Sequence, residues 1–375
     1  MKIVFTGGGT GGHFYPIISV AQEINKLISE NKIMNARLYY LANDPYNQEI
    51  LSANNIIFKK VPAGKLRRYF SFENFTDLFK TMQGVLVAIW NLFIIYPDVV
   101  FGKGGYVSFP VLLAARLLMI PVIIHESDSV PGRTNVWAGK FAKRIAISYP
   151  EASRYFPEGK VAYTGNPIRT ELVETLRDGA YEFLKLDQNI PVILVVGGSQ
   201  GSQIINETIF NALPKLVEKY QIIHQTGKNN YAEVKEQTDA ILIDNPNRDR
   251  YKLFDYLENL GMRMSAGVSS LVISRAGSAI FEIASWGIPS IIIPIADSNG
   301  DHQRKNAFSY ARSGSCIVIE EANLSASIII SEIARLMENK EEREKMSQSA
   351  KKFVKMDASN VIAQEIFNIS LKHEI

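Results

Sequence analysis

Short β-branched and apolar runs alternate along this chain with longer segments whose apolar residues recur every three to four positions. Runs at 2–6, 37–41, 56–61, 99–101, 122–125 and 144–148 predict strands in the first half. Runs at 192–196, 222–224, 271–274, 290–293 and 316–319 repeat the theme in the second. Four consecutive apolar residues, Val192 to Val195, suit a strand buried on both faces. Strands separated by helical stretches imply parallel sheets and an α/β class. Each half opens alike, with a strand, a glycine-rich turn and then a helical pattern, which predicts two doubly wound domains in tandem. The turn at Gly165-Asn166-Pro167 marks the boundary, giving domains at 1–165 and 166–356. A closing helix at 357–375, capped by Asp357 or Ser359, is expected to pack back on the first domain.

One helical stretch carries a second message. Phe72, Phe75, Phe79, Met82, Leu86, Ile89 and Phe93 fall at alternating spacings of three and four, one apolar face of a helix, with Trp90 beside it. Most of that stripe reads as core packed against the sheet. Lys59, Lys60, Lys65, Arg67 and Arg68 precede it. With Phe70, Phe72 and Phe75 these cations form the expected membrane-touching patch. The longest greasy run, 85–96, contains Asn91 and falls short of the ~20 residues that span a bilayer. The start of the chain lacks the apolar core of a secretory signal. The chain is therefore expected in the cytosol, or touching a membrane without crossing it.

Composition narrows this further. A hydrophobic fraction of 46% with 21% charged residues fits a globular protein of two domains. A single cysteine, Cys316, excludes an intramolecular disulfide. The five histidines are scattered and no metal-ligand spacing appears, so neither a metal nor a cofactor is expected. The net charge of +3 conceals an asymmetry: residues 1–165 hold 18 basic and 11 acidic side chains, the remainder 23 and 27. A basic first half fits phosphate or an anionic lipid surface. No nucleic-acid partner is expected.

The chemistry concentrates on the turns. Gly7-Gly8-Gly9-Thr10-Gly11-Gly12 follows the first strand. Glycine at this density costs backbone entropy, which points to a turn whose N–H groups meet an anion at a helix start. A dinucleotide site would want an acid about 20 residues on. The nearest, Asp44, lies roughly 30 past Gly12, so a nicotinamide cofactor is disfavoured. His13 comes next, with an imidazole suited to general base work near neutral pH. Gly197-Gly198-Ser199-Gln200-Gly201 repeats the device, Ser199 adding a hydroxyl. A third turn, Gly102-Lys103-Gly104-Gly105-Tyr106, should reach the same sheet edge as the first. Glu282, near a helix start, is placed to grip ribose or sugar hydroxyls, and equally to serve the helix dipole. Gln303 lies on a polar loop that fits sugar recognition and a solvated surface alike.

Together and in order, these motifs resemble those of the MurG family of N-acetylglucosaminyltransferases. The carriers are 7–13 (GGGTGGH), 102–108 (GKGGYVS), 125–135 (HESDSVPGRTN), 164–169 (TGNPIR), 197–201 (GGSQG), 274–277 (SRAG), 282–289 (EIASWGIP) and 303–307 (QRKNA). The likeness runs from 1 to about 357. It implies a GT-B fold, two Rossmann-like doubly wound domains facing a central cleft. It implies inverting, metal-independent transfer of N-acetylglucosamine from UDP-N-acetylglucosamine to the C4 hydroxyl of the muramyl residue of lipid I. The product is lipid II of peptidoglycan biosynthesis, made at the cytoplasmic face of the cell membrane. Carried over by position, Thr10, Gly11 and Gly12 lie near the donor. Arg169 stands on the uracil and diphosphate side, and Ser199 on the phosphate loop. The Leu257 backbone reads uracil. Ser278, Ala279, Ile280 and Phe281 line the donor with Glu282, which binds ribose, and Gln303 binds the sugar. Tyr106, Glu126 and Asn135 sit on the acceptor side with Asp128, an acid where many members have Asn.

For the proton, His13 is the first candidate base, with Asp128 and Glu126 as rivals. The alternatives are a related GT-B glycosyltransferase or a UDP-sugar epimerase with a different acceptor. A noncatalytic nucleotide-binding scaffold leaves Glu282 and Gln303 unexplained. An NAD oxidoreductase comes last.

Overall fold

The structure, a computed structural model, describes residues 1–65, 73–198 and 200–372. Arg67, Arg68, Phe70 and Phe72 of the expected membrane patch, and Ser199 of the second glycine loop, lie outside the described residues. The chain divides into two compact units, 1–169 with 355–375, and 170–354. The first extends past residue 165 because the turn there is tied inward: His125 Nε2 donates to the Gly165 carbonyl at 3.0 Å, and Asn166 is 3% exposed.

Unit 1 holds β1 (Lys2–Thr6), α1 (Gly11–Glu30), β2 (Arg37–Ala42), α2 (Gln48–Ala53), β3 (Ile56–Lys60), α3 (Glu73–Ile95) and β4 (Val99–Gly102). It continues with α4 (Phe109–Leu117), β5 (Val122–Glu126), α5 (Arg133–Gly139), β6 (Arg144–Ile147) and β7 (Val161–Tyr163). Its strands form one parallel sheet in the order β3-β2-β1-β4-β5-β6-β7. Unit 2 holds α6 (Thr170–Val173), α7 (Ala180–Phe183), β8 (Val192–Val196), α8 (Gln203–Lys219), β9 (Gln221–Gln225), α9 (Tyr231–Ile241), β10 (Tyr251–Phe254), α10 (Asn259–Val268) and β11 (Ser269–Ser274). Then come α11 (Ala279–Trp286), β12 (Ser290–Ile292), α12 (His302–Arg312), β13 (Cys316–Val318), α13 (Ala326–Glu338) and α14 (Lys340–Phe353). Its sheet, also parallel, runs β10-β9-β8-β11-β12-β13. The last helix, α15 (Ala358–Lys372), returns to unit 1 and packs along α1.

Alternation along β1 shows why both sheet faces are covered. Ile3 and Phe5 join the core beneath α1 and α15. Val4 points the other way, into the core beneath α3 and α4. Two edge strands were not expected from the sequence. β7 is three residues and mostly exposed. In β10 every residue is half-buried, and Lys252 interrupts the apolar run. An edge strand with one neighbour needs no continuous apolar signal.

The structure overturns the core reading of the stripe on α3. Leu86, Trp90 and Phe93 are 69%, 65% and 67% exposed, and Phe75, Phe79 and Met82 also face outward. The inward face is Gly84, Ala88, Leu92 and Ile95, and of the stripe Ile89 alone is partly buried against the same core among its described members. Close approach explains the choice. A Cβ on Gly84 would collide with the Pro62 carbonyl, so only a glycine lets the helix lie against the chain there. Helix α3 is also longer than the greasy run suggested, and 75–95 is apolar enough to cross a membrane by length and composition. It does not cross one, because it connects β3 and β4 of a single parallel sheet and buries Ala88 and Leu92 in that sheet's core.

Candidate active site

In unit 1 the strand order reverses at β1, which pairs with β2 on one side and β4 on the other. The loops after β1 and β4 therefore emerge side by side at the carboxyl edge, where open parallel sheets bind ligands. The glycine loop leads into α1, whose N-cap Thr10 is extended and makes no side-chain capping bond. Thr10 instead lies 2.9 Å from His13, Oγ1 to Nδ1. The contact fits either tautomer; the one that donates Nδ1–H to that hydroxyl is the one that puts the lone pair on Nε2, as a base requires. The Cε1–Nε2 edge of the ring faces Gly105 of the β4 loop. Tyr106, exposed, flanks Gly9. Arg169 stacks its guanidinium 4.6 Å above the Tyr15 ring, one turn along α1. The structure thus gathers Thr10, Gly11, Gly12, His13, Tyr106 and Arg169 about one helix N-terminus, where the dipole favours an anion.

The β5 loop forms a second cluster. Glu126, 4% exposed, accepts from the Asp128 N–H at 2.9 Å, the Gly132 N–H at 3.1 Å and Asn135 Nδ2 at 2.9 Å. It braces the loop 127–132. Burial, then the Asp128 charge, raises its pKa to about 7. Asn135, 2% exposed, also donates to the His125 carbonyl, so its amide is turned inward and organises the loop. Asp128 is half-buried on that loop.

In unit 2 the order reverses at β8, flanked by β9 and β11. The loops following β8 and β11 are the counterpart edge. Ser202 caps α8 by accepting from the Ile205 N–H. Gln225, at the end of β9 and 2% exposed, joins two loops: Nε2 donates to the Gly198 carbonyl at 3.1 Å, and Oε1 accepts the Leu257 N–H at 2.9 Å. The Leu257 N–H is thus engaged within the fold. Ser278 and Ala279 are half-buried at the start of α11, and Glu282 sits in its first turn. Ile280 and Phe281 are buried, Phe281 stacked on Phe353. Their backbone N–H groups are also engaged, Ile280 with the Gly277 carbonyl at 3.2 Å and Phe281 with the Ser278 carbonyl at 3.1 Å. Gln303, half-buried on α12, accepts the Ile295 N–H at 3.1 Å.

Sequence reasoning missed four organisers: Lys103, His125, Gln225 and Arg275. Lys103, His125 and Arg275 stood inside motifs and Gln225 just after an expected strand, but only a partner distant in the chain makes each an organiser. Arg275 pairs with Glu321 at 2.5 Å and donates to the Ile293 carbonyl. Asn306 Nδ2 ties α12 to the Ala276 carbonyl at 3.2 Å. Among the described residues no group of His, Cys, Asp and Glu is arranged to hold a metal.

Comparison with known proteins shows the family. The N-terminal domain description of glycosyltransferase family 28 matches residues 3–147, and the C-terminal one matches 192–362. A Bacillus cereus protein named UDP-N-acetylglucosamine–N-acetylmuramyl-(pentapeptide) pyrophosphoryl-undecaprenol N-acetylglucosamine transferase 2 is 38% identical over 371 residues, 97% of this chain and 99% of that one. A Halothermothrix orenii transferase of the same activity name is 38% identical over 96% of this chain and 97% of its own. The crystal structure of Acinetobacter baumannii MurG superposes with a TM-score of 0.73 at 25% identity, covering 98% of this chain and 99% of that one. With both halves matched in order, and with this identity over nearly its whole length, the chain belongs to glycosyltransferase family 28, in its MurG branch.

Proposed function

We propose that this hexosyltransferase moves N-acetylglucosamine from UDP-N-acetylglucosamine to the C4 hydroxyl of the muramyl residue of lipid I, with inversion, forming lipid II. What carries the reading is the 38% identity, over 97% of the chain, to a transferase named for that donor and acceptor. The geometry supports it. The acceptor oxygen forms a bond to C1 as the C1–phosphate oxygen bond breaks and UDP leaves with the electron pair. The acceptor proton passes to His13 Nε2. Charge developing on the diphosphate is met by backbone N–H groups at helix starts and by Arg169. Unit 2 takes the donor through the loops after β8 and β11, with Glu282 on ribose and Gln303 on the sugar. Unit 1 takes the acceptor beside Tyr106 and the Glu126-braced loop that carries Asp128.

The test is incubation of the purified protein with radiolabelled UDP-N-acetylglucosamine and a lipid I analogue. Label in a β-1,4-linked lipid product is expected. Label only in free or epimerised sugar would overturn the reading in favour of hydrolysis or epimerisation. Within it, Glu282→Ala raises the KM for UDP-N-acetylglucosamine about tenfold, the loss of a hydrogen bond to a charged group. An unchanged donor KM removes Glu282 from the donor site.

We place the protein on the cytoplasmic face of the cell membrane as a peripheral protein, held to an anionic surface by the outward face of α3. Its exposed apolar side chains suit the apolar half of an interfacial helix, and Lys59 and Lys60 end β3, which precedes it. Leu86→Glu and Phe93→Glu, at exposed positions, each reduce binding to phosphatidylglycerol vesicles roughly tenfold, the loss of about 1.5 kcal/mol of apolar burial. Co-sedimentation equal to wild type in both variants would exclude the helix as the anchor.

A further inference from the structure

Lys103 is 1% exposed, and its backbone N–H donates to the Thr6 carbonyl beneath the first glycine loop. Gly104, at φ +87°, turns the chain immediately after it, with the Asn135 amide packed where a Cβ would stand. The side chain runs inward to three acceptors: His125 Nδ1 at 2.6 Å, Ser127 Oγ, and Asn166 Oδ1 at 3.5 Å. His125 Nε2 donates to the Gly165 carbonyl, so Nδ1 carries the lone pair and the lysine must be the donor. Three donors meet three acceptors, the full complement of an ammonium. Burying that charge costs several kcal/mol that a methionine of similar length would not. Filling space therefore does not account for a lysine here.

We propose that Lys103 is a positioning residue for the acceptor side of the reaction. Its ammonium clamps the ends of β4 and β5 to the 165–166 turn, and so holds the Glu126-braced loop, with Asp128 on it, in one geometry. This rests on the acceptor reading above. The charged and titratable groups that act on this cluster are Glu126, His125 and Asp128 at and after the end of β5 and His13 from α1, and Lys355 packs against Gly165 of the turn. The Lys355 Nζ is directed to the Tyr163 carbonyl. Burial lowers the Lys103 pKa to about 7, opposed by the Glu126 and Asp128 charges. Burial and the Asp128 charge raise the Glu126 pKa; the hydrogen bonds from Asn135 and the Asp128 N–H lower it, and the Lys103 charge adds a smaller pull in the same direction. A carboxylate held by a cation protonates at lower pH, so removing the cation moves its protonation to higher pH. A protonated Glu126 presents an O–H to N–H donors, and the brace opens.

The experiment compares wild type and Lys103→Met over pH 6–9, with lipid I analogue and UDP-N-acetylglucosamine varied separately. At pH 7 the variant is expected to lose about tenfold in kcat/KM for the acceptor, and the acid limb of its profile to move to higher pH. The donor KM stays within about twofold, and wild type and variant converge by pH 9, where Lys103 has itself lost its proton and Glu126 is ionised in both. A profile parallel to wild type, with both substrates affected alike, would overturn the proposal and leave Lys103 a packing residue. Should Lys103→Met not fold, Ser127→Ala removes one acceptor of the ammonium. A smaller shift of the acid limb in the same direction supports the proposal, and an unmoved limb overturns it. Failure of the acceptor reading is distinguishable, because wild type itself would then label no lipid.

Discussion

His13→Ala is expected to lower kcat for transfer by about 10²–10⁴ while UDP affinity stays within a few fold. The split follows from where the groups sit. Anion binding at the start of α1 uses backbone N–H groups, which an alanine leaves in place. The imidazole supplies something the backbone cannot, an acceptor for the proton of the attacking hydroxyl. Thr10 holds Nδ1 at 2.9 Å, which leaves the ring little freedom and presents Nε2 toward the β4 loop. Thr10→Ala should therefore show a milder loss, with the base present but less well aimed. Pre-steady-state turnover and UDP titration of the same preparations separate chemistry from binding. Turnover near wild type would remove His13 from the mechanism and move the search to Asp128. Glu126 is the weaker rival on geometry, since three donors already occupy its oxygens.

Arg275→Ala should destabilise unit 2 by about 3 kcal/mol, the usual cost of leaving one member of a buried pair without its partner. The Arg275 and Glu321 side chains are 11% and 15% exposed, so water replaces the lost partner poorly. Two further bonds depend on the pair: Arg275 donates to the Ile293 carbonyl at 3.1 Å, and Glu321 accepts the Ala296 N–H at 2.8 Å. Both brace the segment after β12 that Gln303 also holds, through Ile295. The transition of this unit should fall by roughly 6–12 °C, and the donor KM should rise as the segment loosens. Arg275→Lys retains the charge but not the planar fork, and should recover part of each effect. A midpoint within a degree of wild type would show that the pair is not what stabilises the segment.

Much of the fold was legible because its signals are local. β8 is apolar at all five positions, and a strand buried on both faces needs nothing more to be seen. The candidate site was legible where glycines and a histidine share a turn, since a dense glycine run has few other uses. Legibility ended where one residue offers two roles. Ile280 and Phe281 lie inside a motif, yet their side chains belong to the core. Leu257 was read for its backbone, and its N–H is taken by a side chain 32 residues away.

By itself the sequence determined the alternation of strand and helix, the two glycine-loop starts and the histidine beside the first. These follow from backbone period and from the conformations only glycine adopts easily, both properties of neighbouring residues. Tertiary structure alone decided which face of α3 turned inward, because the contact of Gly84 with Pro62 outweighed a stripe of larger apolar side chains. It also decided that Lys103 lies under the first glycine loop, among acceptors from the end of β5 and from the 165–166 turn. Partners that far apart in the chain leave no periodic trace, and only folding brings their polar atoms within bonding distance.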